Sequence, residues 1–340
     1  MPELHRKYGP IVRIGPNHLA LDGSIGWPQV YSHRTGKPEF SKFPKFLFKE
    51  DEISLLGAEK DVHRRQRRQL GYAFSDSALV EQEGIIMQYV SLLMKRMAEH
   101  AEAGKPLNVV KWLNFTTFDI IGDLTFSDTF GNLDGDAYHP LVLNFFRGIR
   151  GNALERIMNA YPLLRPYISI MGSEDLKMVK KSKDISDDKA LVRMKLGEQP
   201  NGSTRKDFMT YMLRKTRDGE VGMTDTEIVV NSNVIIGAGS ETTATAMSGF
   251  FFYMGKEPAV YMTLAEEIRS TFKSEEEITI RSTAQLPYLQ ACIDETLRVY
   301  PPAAETPPRI SPGAEIDSKF VPKGVSNTFR DHMSLILSRP

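Results

Sequence analysis

The alternation of hydrophobic and polar positions divides the chain into long helix-compatible stretches and a few short extended ones. Residues 10–22, PIVRIGPNHLALD, read as two short strands around the turn-forming trio Gly15, Pro16 and Asn17, and little else before residue 50 reads as regular. From Glu59 to Gly71 the chain is strongly charged and helix-compatible. Long helices are predicted over roughly 77–103, broken by Gly104, Lys105 and Pro106, and over 108–127, ending near an Asp- and Gly-rich loop at 131–136. Residues 138–170 read as helix interrupted by Pro140, Pro162 and Pro166. The charged run 173–207 ends in the loop Gly197 to Ser203 and is expected to be exposed and mobile.

The clearest element begins at Thr224. Thr224 and Glu227 have capping-box spacing, each able to satisfy an orphan amide of the first helical turn. Apolar residues then continue to Met254, and Gly255 with Pro258 supplies the stop. About 30 residues at roughly 1.5 Å each give a helix about 45 Å long, enough to cross a domain. It is apolar nearly all round, which predicts a central position. Helices at about 258–272 and 287–299 follow, and after Pro301 and Pro302 come short strands near 308–310 and 314–321. The fold class is mainly α with a small β element.

Composition narrows the function classes. The 340 residues carry 43 Lys+Arg against 43 Asp+Glu, so no net charge draws the chain to nucleic acid or acidic lipid. A single cysteine, Cys292, excludes an internal disulfide framework and a Cys-rich zinc site. The opening MPELHRKYGPIVRIGP has no apolar core, so neither a signal peptide nor an N-terminal anchor is expected in this chain. The greasiest stretch, Val229 to Met254, contains Asn231, Asn233 and Glu241, and reads as a buried helix rather than a bilayer span.

Four stretches carry candidate chemistry. The long helix holds Gly237, Ala238, Gly239, Ser240, Glu241, Thr242 and Thr243 in succession. Each of its two glycines costs about 1 kcal/mol relative to Ala inside a helix, which suggests close approach by something flat or bulky. Glu241 in that greasy setting needs a partner, water or a proton. Plain helix packing, with Glu241 paired to a distant arginine, is the other reading. Phosphate cradling is disfavoured, because the glycines lie within a helix and no Gly-Lys-Ser/Thr follows. Glu295 and Arg298 share one helix face at i and i+3 and can pair bidentately. In HRRQRRQ, His63 and Arg67 share a face, as do Arg64 and Arg68, and could grip an anion such as a carboxylate pair or form a solvated charge run. A nucleic-acid patch is disfavoured by the balanced charge and the lack of interleaved aromatics. Arg309 follows in the stretch TPPRI.

In this order, the four stretches resemble the heme-thiolate monooxygenases of the cytochrome P-450 superfamily, most closely fungal members that tailor secondary metabolites. The phrases HRRQRRQLGYAFSDSAL, FDIIGDLTF, GAGSETTAT and ACIDETLRVYPP carry the likeness, which runs from about Tyr8 to Gly324. The resemblance implies that Ala238 and Gly239 let the long helix lie against heme, while Glu241 and Thr242 steer protons during oxygen activation. It implies that His63, Arg67 and Arg309 bind heme propionates and that Glu295 and Arg298 form a structural pair. It further implies a small apolar substrate, met by residues around 43–58 and 140–210, and electrons from an NADPH-dependent reductase. The family is usually anchored in the endoplasmic-reticulum membrane.

The likeness fades after Gly324. The ending VSNTFRDHMSLILSRP has no Phe-x-x-Gly-x-Arg-x-Cys, so the heme-ligating cysteine of the family has no counterpart and no metal ligand is assigned. Cys292 precedes Glu295 by three residues and is expected to act as a small buried hydrophobe. The expectation is therefore a single domain over residues 1–325, truncated at both ends, with 326–340 as a divergent tail and impaired oxygenation. The alternatives are a non-catalytic remnant or a binding protein, and, more remotely, a nucleotide-binding enzyme using Gly237 to Gly239.

Overall fold

A computed structural model describes residues 2–44, 53–198, 206–215, 222–303 and 306–329. The chain forms two compact units, one from residues 1–48 with 293–340 and one from 49–292. The first begins with α1 (Pro2–Tyr8), which the sequence reading missed, and the foreseen pair β1 (Ile11–Gly15) and β2 (His18–Leu21). Asp22 caps α2 (Gly23–Gly26), a π-helical turn follows over Trp27–Tyr31, and β3 (Ser41–Lys42) ends this segment.

The second unit is helical. Its elements are α3 (Lys60–Gly71), α4 (Asp76–Glu102), α5 (Val109–Phe126), α6 (Asn132–Gly135), α7 (Pro140–Ala160), α8 (Arg165–Met171), α9 (Ser173–Lys195), α10 (Phe208–Leu213), α11 (Asp225–Lys256), α12 (Pro258–Thr271) and α13 (Ile280–Thr283). Then α14 (Pro287–Val299) runs across the boundary between the units. Pro140 and Pro166 sit in the first turns of α7 and α8, where a missing N–H costs nothing, so they start helices rather than interrupt one. The capping box at Thr224 forms in full.

The helix with the deepest burial is α5, not α11. Trp112, Leu113, Phe115, Phe118, Leu124 and Phe126 of α5 are all in the core. By contrast α11 buries Ile228, Ile236 and Ala244 but leaves Ala238, Thr242, Thr243, Phe251 and Phe252 exposed. The helix expected to be central thus packs on α5 and α9 along one side and leaves its other side exposed. Residues 173–195 are also not an exposed mobile run: they form α9, packed on α7 and α11, with Ala190 and Arg193 fully buried. Most of the expected loop at Gly197 to Ser203 lies outside the described residues.

The first unit resumes with β4 (Arg309–Ile310), β5 (Ala314–Ile316), β6 (Lys319–Val321) and β7 (Ser326–Phe329). Five strands form one sheet in the order β1-β2-β7-β4-β3, with β7 parallel to β2 and antiparallel to β4. The sheet is thus stitched from both ends of the sequence through β7, an element with no counterpart in the sequence reading. Its core is Leu21, Val30, Phe40, Ile316 and Val321. No helix among the described residues is long and apolar enough to cross a membrane.

Candidate functional site

The middle of α11 is shaped by two kinds of small residue. A Cβ on Gly239 would stand 2.8 Å from Cδ1 of Ile121 in α5, and one on Gly237 would stand 3.2 Å from the Phe145 ring in α7. Both glycines are therefore filled by neighbouring helices, and close helix approach accounts for them. Ala238 faces the other way and is exposed.

Glu241 is half-buried, with Oε2 closed to solvent and without a hydrogen-bond partner. Its Oε1 accepts a long 3.5 Å bond from the Thr245 hydroxyl, so the distant-arginine alternative does not hold. Burial raises the Glu241 carboxyl above its usual range, and the Thr245 bond offsets only part of this. The Tyr138 hydroxyl is raised by burial and by the field of Glu241. One residue on, the Thr242 hydroxyl is exposed and donates to the Ala238 carbonyl at 2.6 Å. Donating backward leaves the oxygen free to accept from a group on the outer face. The result is a buried acid and an exposed hydroxyl side by side on one helix.

Along α3, His63 is half-buried and Arg67 exposed. The buried face of α3 carries Gln66 and Gln69 instead, and Arg65 reaches to α11. Arg65 donates to both oxygens of Glu227 at 2.9 and 2.6 Å and to the Gly222 carbonyl at 2.6 Å. Sequence reasoning found Glu227 as a cap but missed its arginine. The available signal was a pair of glutamines spaced by three inside an arginine run, which marks the inward face.

In the other unit, Arg298 pairs bidentately with Glu295 at 2.6 and 2.5 Å, as the spacing predicts. Arg309 lies with its guanidinium 5.4 Å from the centre of the Tyr31 ring, and its Nε is closed to solvent with no partner. Back in the helical unit, Cys292 is buried, and its thiol is pushed up by burial and by nearby Glu267, whose carboxylate accepts from Tyr288 N and Leu289 N at the start of α14. It fits the expected small hydrophobe. Among the described residues no group of three or more His, Cys, Asp or Glu could hold a metal ion.

Comparison with known proteins gives a family model, cytochrome P-450, that matches residues 1–327. A cytochrome P-450 monooxygenase of Aspergillus oryzae, astJ, is 38% identical over 96% of this chain and 65% of the relative. A second from the same organism, aclL, is 39% identical over 95% of this chain and 66% of the relative. The trichothecene C-15 hydroxylase of Fusarium sporotrichioides is 36% identical over 94% of this chain and 65% of the relative. The chain thus spans just under two thirds of the length of these relatives.

Proposed function

The chain belongs to the cytochrome P-450 family, and from that premise we propose that it carries the oxygen-side helix and the propionate-binding residues of a heme- and NADPH-dependent monooxygenase of an apolar secondary metabolite. The carrying observation is the pairing on α11 of a half-buried, partnerless carboxyl oxygen with an exposed hydroxyl. A carboxyl whose charged form is disfavoured by burial keeps its proton closer to neutral pH and can release it to an adjacent acceptor.

By the resemblance, His63 and Arg67 on α3 and exposed Ala238 beside Thr242 on α11 would meet heme in the helical unit, and Arg309 in the other unit carries an enclosed Nε that suits a carboxylate. Gly239 serves the α11 face indirectly, by letting α11 settle on Ile121. Heme, when bound, supplies oxygen activation. Within the chain, Glu241 holds a proton at a carboxyl oxygen, Thr242 offers the acceptor that orders groups on the outer face, and Glu295 with Arg298 braces the last turn of α14. Electrons would come from an NADPH-dependent reductase.

Cys292 does not fit an axial ligand, being buried with its thiol raised. The second reading is a heme- or ligand-binding homologue without oxygenase activity. Reconstituting the purified chain with hemin and recording the reduced carbon-monoxide spectrum separates the two. A red-shifted Soret band of thiolate type supports the monooxygenase, an unshifted band supports the binding protein, and no change in the hemin spectrum on adding protein removes both.

A further inference from the structure

His139 caps α7 through its ring. Its Nδ1 accepts from the Leu141 amide at 3.1 Å, so that nitrogen carries no proton and the imidazole is neutral while the cap is closed. Pro140, at the first helical position, has no N–H, which makes the Leu141 amide the first that α7 must satisfy. Water cannot easily take over that bond, because Leu141 and Val142 are both fully buried. A buried amide left without an acceptor costs more than a typical hydrogen bond returns. The backbone of His139 is pinned from α5. Its own amide donates to Asn132 Oδ1 at 2.7 Å, and Asp119 of α5 fixes that loop by accepting from the Asn132 amide and side chain and from the Leu133 amide. The ring packs on Phe130 with centroids 5.2 Å apart, and Lys189 of α9 lies over the Phe130 ring at 5.4 Å. Protonation would make Nδ1 a donor facing the donor of Leu141. It would also set a full positive charge at the positive end of α7, whose first turn holds no acidic residue. Burial, followed by the field of Lys189, holds the imidazole below its ordinary range, and only Asp128, itself paired with Lys189, acts the other way. The unfolded chain therefore takes the proton first, so the cap contributes fully above about pH 6.5 and its contribution is lost as the pH falls below that.

We propose that His139 is a proton-operated cap: neutral, it closes the first turn of α7, and protonated, its ring leaves Leu141 and that turn opens. The next turn of α7 carries Phe145, whose ring fills the space at Gly237 of α11, one helical turn before Glu241. The cap thus governs the start of the helix packed behind the candidate site. It holds whether or not the chain takes heme.

The test is amide hydrogen exchange on the full purified chain, each rate referred to the intrinsic rate at the same pH, in wild type, His139→Asn and His139→Ala. Asparagine keeps a capping acceptor that does not titrate, whereas alanine keeps none. In wild type the protection of the Leu141 amide should fall about tenfold from about pH 7.5 to about pH 5. In His139→Asn it should stay level, and in His139→Ala it should be low at both ends. The His139 imidazole resonance, assigned by its loss in the variants, should titrate with the same midpoint as the loss of protection and below the ordinary histidine range. Level protection in wild type overturns the proposal. So does a fall that His139→Asn shares, since another group would then be titrating, and so does an imidazole midpoint at or above the ordinary range. If His139→Ala does not fold, wild type and His139→Asn still decide between these outcomes.

Discussion

Glu227 shows how one side chain can serve two structures at once. It closes the capping box by accepting from Thr224 N at 2.8 Å and receives the two bonds from Arg65. Burial alone would raise its pKa, but Arg65 and the Thr224 amide more than reverse this and hold it at about 2, against an ordinary 4.5. Between those values the unfolded chain binds the proton and the folded chain does not, so the stabilisation is present above pH 4.5 and is lost as pH falls toward 2. Allowing for the part-exposed Arg65, the loss should be about 1–2 kcal/mol. Urea midpoints of wild type and Arg65→Met between pH 5 and about 2.5 should converge as the acid limit is approached. Arg193 is a harsher case. It and Asp207 are both fully buried, joined at 2.7 and 2.9 Å, and Asp207 also caps α10 through Thr210 N and accepts from Ser127. Arg193→Met strands that carboxylate, and should cost about 3–5 kcal/mol in equilibrium unfolding.

Between elements, the tightest approach is that of α7 to α9. A Cβ on Gly151 would meet the Asp175 carbonyl oxygen at 2.5 Å and its carbon at 2.8 Å, which are backbone atoms that cannot swing aside. In α4, a Cβ on Gly84 would meet nothing within 4 Å. The same substitution should therefore act with opposite signs. Gly84→Ala should stabilise by about 0.5–1 kcal/mol through helix propensity. Gly151→Ala should destabilise by about 1–3 kcal/mol, overpacking outweighing that gain. Thermal or urea unfolding of the two variants side by side checks the signs. The sequence already contained most helix boundaries, because caps such as Ser75, Asn108 and Thr224 and stops such as Gly104 act locally. It concealed α9, whose apolar positions are sparse among lysines and aspartates and whose buried arginine gives no hydrophobic signal. At the candidate site, Glu241 and Thr242 stood out by residue type, and the Glu295–Arg298 pair by spacing. The surroundings that raise Glu241, and the cross-strand neighbour of Arg309, depend on residues far away in the chain and could not be seen from local pattern.

At the scale of the molecule, β7 decides whether the sheet unit exists. It lies between β2 and β4, pairing Leu19 with Asn327 on one side and Arg309 with Asn327 on the other. Ser326, Asn327 and Thr328 are all buried, and the Ser326 hydroxyl donates to the Asn17 carbonyl at 2.9 Å. A polar stretch, SNTF, offers no hydrophobic alternation to announce a strand, so residues 326–329 were assigned by sequence to a divergent tail. The register gives these residues a structural part: without β7, β2 and β4 have no common neighbour and the ladder amides of Leu19 and Leu21 lose their acceptors. The helical unit has its own large core around α5 and, among the described residues, contributes no strand to this sheet. Hydrogen exchange on the shortened chain should therefore show protection lost in β2, β4 and the residues around Phe40, while α5 and the buried half of α11 keep theirs. Retained protection at Leu19 and Leu21 would return the strand to the status of a tail. Uniform loss across α5 as well would show that the two cores fold as one cooperative unit.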